Sequence, residues 1–139
     1  MKFYQETINI RTSGKCLHKI TSQIKQVVAN SGITNGLCTV FIMHTSASLI
    51  IQENADPDVL TDLTNFFHKL VPEQGFNYLH SAEGPDDMPS HIRSVLTSTS
   101  ENLIVTNSRL QMGIWQGLYV WEHRQRSHNR QIAVHVQGE

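Results

Sequence analysis

The chain has 139 residues, 39% hydrophobic and 17% charged, with a formal net charge of -1. That length suits one domain with a real core, and the balance excludes a disordered chain. No Lys/Arg block supplies the electrostatic footprint of a nucleic-acid binder, so no nucleic-acid partner is expected. Cys16 and Cys38 stand apart, which argues against a zinc knuckle or a disulfide framework and for a reducing compartment. The opening MKFYQETINI has no apolar signal core and no run reaches membrane-spanning length. A cytoplasmic protein with no membrane partner is expected.

Phe3 to Ile10 alternates and reads as a first strand. From Lys15, Leu17, Ile20, Ile24, Val27 and Val28 recur at helical spacing, and Gly32 stops that helix. The stretch GLCTVFIMHTSASLIIQEN is β-rich: Val40, Ile42 and His44 share one face, and Phe41 and Met43 the other. Thr45-Ser46 bends the chain into a second strand, Ala47 to Glu53. Asp56 then caps a helix with Pro57 in its first turn. Its apolar stripe is Val59, Leu60, Leu63, Phe66, Phe67 and Leu70, and Pro72 ends it.

A polar stretch follows, YLHSAEGPDDMPSHI. A short helix is expected from Pro89, burying Ile92, Val95 and Leu96. NLIVTN reads as a buried strand. GLYVWEHRQ and NRQIAVHVQ alternate and read as a hairpin turning around Arg126 to His128. Mixed elements without a βαβ repeat indicate an α+β fold, one compact domain of mainly antiparallel sheet packed with helices over residues 1–139.

Eight histidines are the compositional oddity. His44 continues the Val40/Ile42 face, Glu53 continues the Leu49/Ile51 face, and Glu122 continues the Leu118/Val120 face. Titratable groups on an inward face are costly unless paired or bound to metal. A shared site solves that problem for all of them, with the polar stretch laying His80, Asp86, Asp87 and His91 over the strand ends. Neutral imidazole suits zinc and related ions. The plainer alternatives are Asp86-Asp87 as acids at a helix N-terminus, Glu122 and Arg124 as a structural ion pair, and His18 and His68 as solvated helix residues.

The segments HTSASLIIQEN and DP (Ala55 between them), H-x5-DDMPSHI, G-x-WQG and EHR resemble, in this order, the YjbQ-like family, whose members are commonly named secondary thiamine-phosphate synthases. Ile114 departs from the Thr usual there. The resemblance implies a homotrimer with sites near subunit boundaries. It also implies metal ligands at His44, His80 and His91, with a divalent ion, zinc or else Mg, as cofactor. Asp87, Glu122 and His91 take catalytic roles, Glu53 and Asn54 position the substrate, and Arg124 and Arg130 bind phosphate. The implied reaction is a transferase that joins a pyrimidine methyl diphosphate to a thiazole phosphate. Diphosphate departure normally uses Mg²⁺ with oxygen ligands, whereas clustered imidazoles suit zinc. Two further expectations therefore stand beside it: a metal-dependent hydrolase of a small phosphorylated or acyl substrate, and a non-enzymatic anion-binding oligomer.

Overall fold

Apolar alternation builds most of the chain into strand. The computed structural model describes residues 1–139 and orders the elements β1 (Lys2–Arg11), β2 (Cys16–Lys19), α1 (Thr21–Ser31), β3 (Gly36–Ile42), β4 (Ala47–Glu53), α2 (Pro57–Leu70), α3 (Asp87–Leu96), β5 (Ser100–Thr106), β6 (Arg109–Leu110), β7 (Gln116–Glu122) and β8 (Asn129–Gly138). Every strand pair is antiparallel. One sheet runs β1-β8-β3-β5-β6, and a second runs β2-β7-β4. The fold is α+β.

The core is a single cluster of 17 buried residues. Val40, Ile42, Ile132, Val134 and Val136 come from the larger sheet, Leu49, Leu118 and Val120 from the smaller, and Ile24, Val27 and Val28 from α1. The period-2 pattern of β8 and the 3.6-period pattern of α1 thus reach the same interior. Gly32 closes α1 in the left-handed region, φ 69°, where a Cβ would be strained.

Four sequence expectations change. Residues 16–19 form a strand, and α1 starts only at Thr21, because Cys16–Lys19 pairs with β7 in the register Cys16↔Glu122. His18 accordingly lies half-buried on a strand and not on a helix surface. The hairpin expected around 126–128 does not form. β7 has both edges filled by β2 and β4, and β8 has both filled by β1 and β3, so residues 123–128 carry the chain from one sheet to the other. The α3 helix begins at Asp87, and it buries Pro89, Ser90, Arg93 and Ser94 while Val95 and Leu96 are exposed.

The α2 helix starts as expected, with the Asp56 carboxylate accepting from the Asp58 amide at 2.9 Å and Pro57 in its first turn. Its apolar stripe is wider than the surface it covers. Phe67 packs on Trp121 with ring centroids 4.7 Å apart, but Phe66 and Leu70 stay exposed.

Candidate functional site

The polar stretch of residues 71–86 forms neither helix nor strand. An arginine-centred clamp holds its end against the sheets, and a second such clamp lies within the fold. Arg124, just past β7, donates from Nε to Asp86 Oδ2 and from Nη1 to Asp87 Oδ1, each at 2.9 Å, and from Nη2 to the Glu83 carbonyl at 2.9 Å. The Gln125 amide adds a second bond to Asp86 Oδ2 at 2.9 Å. Burial would raise the Asp86 carboxyl, but the Gln125 amide and Arg124 outweigh it and hold the acid below its usual range. Burial alone would lower Arg124, and Asp86 and Asp87 instead raise it. Three of the five donors of this fork are committed to two carboxylates and a carbonyl.

The second clamp lies deeper. Arg130 grips Glu122 in bidentate fashion, Nε to Oε1 at 2.8 Å and Nη2 to Oε2 at 2.5 Å. Thr12 donates to the same carboxylate at 2.6 Å. Burial pushes Glu122 up, and the bonds from Arg130 and Thr12 more than reverse it, so the acid stays ionised. Glu122 has no exposed surface. Glu122 and Arg130, expected as a catalytic acid and a phosphate binder, satisfy one another inside the fold, whereas Arg124 pairs with Asp86 and Asp87 and also lines a cleft. The pairing also differs from the Glu122–Arg124 ion pair, since each arginine finds a different acid.

One cluster remains that can hold an ion. His80, Asp87 and His91 bring one donor atom each to within 4.8 Å of one another. His80 Nε2 lies 2.6 Å from Asp87 Oδ2, and His91 Nε2 lies 3.3 Å from Asp87 Oδ1. The spacing Asp87-x3-His91 places both on one face of α3, one turn apart. His91 Nδ1 sits 2.8 Å from the Thr45 carbonyl. A carbonyl only accepts, so Nδ1 carries a hydrogen, and in the neutral ring the lone pair is on Nε2, which faces the cluster. Backbone orientation of the distal nitrogen is the arrangement that metal-ligating histidines use. Asp87 is buried while His80 is exposed, which leaves the cluster open to solvent on one side. Two imidazoles and a carboxylate with open positions fit a zinc-type ion.

His44 is not in this cluster, which corrects its expected part as a ligand. Its Nε2 accepts from the Gln131 amide at 2.8 Å, so the lone pair that would bind metal anchors the start of β8. Partial burial and the adjacent Arg130 both lower its pKa. Asp87 keeps a place at the site, but with both oxygens engaged it reads as a ligand and anchor instead of a free proton carrier. Glu53 and Asn54 lie elsewhere. Glu53 accepts from the Ala55 amide at 3.0 Å, and Asn54 donates to the carbonyls of Ile114 and Gln116, each at 3.1 Å. Asn54 also borders a separate cleft of about 460 Å³ with Lys19, Lys25 and Gln116.

Beside the clamp opens a cleft of about 660 Å³, lined by Glu83, Gly84, Arg124, Arg126, Ser127 and His128. Arg126 is its exposed cation. His123, part of the EHR segment, was given no site role from the sequence. It is buried, with Nε2 2.8 Å from Ser48 Oγ, which in turn accepts from Thr97 at 2.6 Å. Burial, helped by the Arg93 charge, pushes its pKa down to about 3. The signal that could have exposed this polar layer is the helical spacing of Ser90, Arg93 and Thr97, which lacks any apolar partner.

The family profile described as UPF0047 protein YjbQ-like matches residues 6–139. The UPF0047 protein sll1880 of Synechocystis is 62% identical over 136 residues, spanning 98% of this chain and 92% of that protein. The YjbQ protein of Escherichia coli O157:H7 is 42% identical and spans 99% of both chains. A crystal structure of a YjbQ/UPF0047 protein from Clostridium acetobutylicum superposes with a TM-score of 0.87 at 34% identity, covering 95% of this chain and 99% of that one. A protein of unknown function from Sulfolobus solfataricus, at 23% identity, shares the fold with a TM-score of 0.86. The chain belongs to the YjbQ-like UPF0047 family.

Proposed function

We propose that the protein is a metal-dependent hydrolase of a small phosphorylated or acyl substrate, with His80, Asp87 and His91 as its ion-binding set. The observation that supports it is the convergence of these three side chains, with the second nitrogen of His91 held by the Thr45 carbonyl. When bound, a zinc-type ion would supply Lewis acidity and make water acidic enough to act near neutral pH. The chain's own residues do the rest. Thr45 orients His91, Arg124 fixes Asp87, and the exposed side of His80 leaves room for substrate.

The second reading is the transferase that joins a pyrimidine methyl diphosphate to a thiazole phosphate. Its support is the 660 Å³ cleft with Arg126, large enough for two small rings. Against it, Arg124 and Arg130 are spent on carboxylates, which leaves few cations for a departing diphosphate. We read the working form as a cytoplasmic homotrimer. The unpaired thiols of Cys16 and Cys38 fit a reducing compartment. No helix is long and apolar enough to cross a membrane.

Elemental analysis of the purified chain tests the ligand set. About one ion per chain is expected, lost in a His80→Ala/His91→Ala double variant and retained in His44→Ala. Equal metal content in wild type and double variant refutes the site. A screen of phosphomonoesters and esters with the zinc-loaded protein then separates the reactions. Turnover without an acceptor ring supports hydrolysis, and turnover only with both phosphorylated rings supports transfer.

A further inference from the structure

Arg93 projects from the buried face of α3 and is only 5% exposed. Its Nη2 donates to the Val71 carbonyl at 3.2 Å, and its Nε has no partner at all. The acids whose charge reaches it, Glu73 and Asp86, are already engaged by Lys15 and Arg124. A buried guanidinium without its own counter-charge is among the most costly features a fold can carry. Something must therefore offset it.

A cavity of about 50 Å³ lies against this side chain. Arg93 and Lys15 bring positive charge to it, Phe67 and Trp121 form apolar walls, and the exposed Cys16 borders it. Glu122 also borders it, but Arg130 cancels that charge. Counting Lys15 against Glu73 and Arg130 against Glu122, one positive charge remains, on Arg93. The volume admits about four water-sized groups, which is room for a small oxyanion and not for a nucleotide. Guanidinium and ammonium donors in a part-apolar recess make strong charge-assisted bonds to such an anion.

We infer that this cavity, between α2, α3 and the start of β2, is a binding site for a small oxyanion held by Arg93 and Lys15. It is separate from the His80/Asp87/His91 cluster and does not depend on it. The anion is either free phosphate or a carboxylate, and both present the same paired oxygens to Arg93.

Calorimetric titration of the full chain with inorganic phosphate, and separately with acetate, tests this. Saturable binding of either anion is expected, and whichever binds more tightly names the class. Arg93→Gln should weaken it about tenfold or more, the loss of one charge-assisted donor pair. If that variant fails to fold, Lys15→Gln is expected to weaken binding severalfold, since Lys15 is only half-buried. Bound anion should also slow alkylation of Cys16 by neutral iodoacetamide, with the buried Cys38 silent. Absence of saturable binding by both anions, or binding and Cys16 protection that Lys15→Gln and Arg93→Gln leave unchanged, overturns the inference.

Discussion

Glu122 and Arg130 settle each other's roles through contact alone. Breaking that pair from one side, as in Arg130→Met, leaves a buried carboxylate uncompensated, and chemical denaturation should show a loss of about 3–5 kcal/mol. His123 gives a pH signature. Its folded pKa, about 3, lies below the unfolded value, so the unfolded chain takes up a proton that the folded chain refuses. Stability should hold above about pH 6.5 and fall by up to about 1.4 kcal/mol per pH unit on the way down to about pH 3. His123→Phe should flatten that part of the stability–pH curve; an unchanged slope would assign it to other groups. Legibility at this scale followed sequence distance. His80, Asp87 and His91 lie in one stretch, which the sequence could single out, but with the helix expected only from Pro89 it did not set Asp87 and His91 one turn apart. The fate of His44 was decided by the amide of Gln131, 87 positions away, and the fate of Arg124 by acids 37 and 38 positions back. No local pattern encodes those pairings.

Strands and helices were legible where apolar residues recur at the element's own period, as in β1 and α2, or form a β-rich run, as in β3 and β4. The failures came from partners. CLHK carries a pattern that suits helix or strand, and the free edge of β7 chose strand. β7 and β8 alternate as a hairpin should, yet neither has an edge left for the other. The α3 face was misread because apolar Val95 and Leu96 were taken to point inward, while the buried side is polar and holds Arg93. Close approach of β3 and β8 gives an element-scale prediction. A methyl group on Gly36 would overlap the Gln137 carbonyl oxygen, which is backbone and cannot swing away. Gly36→Ala should therefore destabilise the larger sheet by about 1–3 kcal/mol in thermal or chemical unfolding, with α2 helicity unaffected. Removing the α2 cap by Asp56→Ala should cost about 1 kcal/mol and leave the sheets intact.

Taken whole, the molecule leaves Phe66, Leu70, Phe76, Leu79, Val95 and Leu96 exposed around α2, the polar stretch and α3. Exposed large apolar side chains are what an assembly would cover. Size-exclusion chromatography with light scattering should give three times the chain mass, and Phe66→Asp with Leu70→Asp should lower it if this face is the contact. The segment 71–86 has a different consequence. It crosses the surface without ladder hydrogen bonds, moored mainly by Arg93 at one end and Arg124 at the other. Such a span opens at a free energy well below that of global unfolding, and a protease can nick it while both sheets remain intact. His80 rides on it, whereas Asp87 and His91 belong to the helix. Zinc would therefore act as a clasp across the span, and limited chymotryptic cleavage at the exposed Phe76 or Leu79 should slow on loading and quicken again with a chelator.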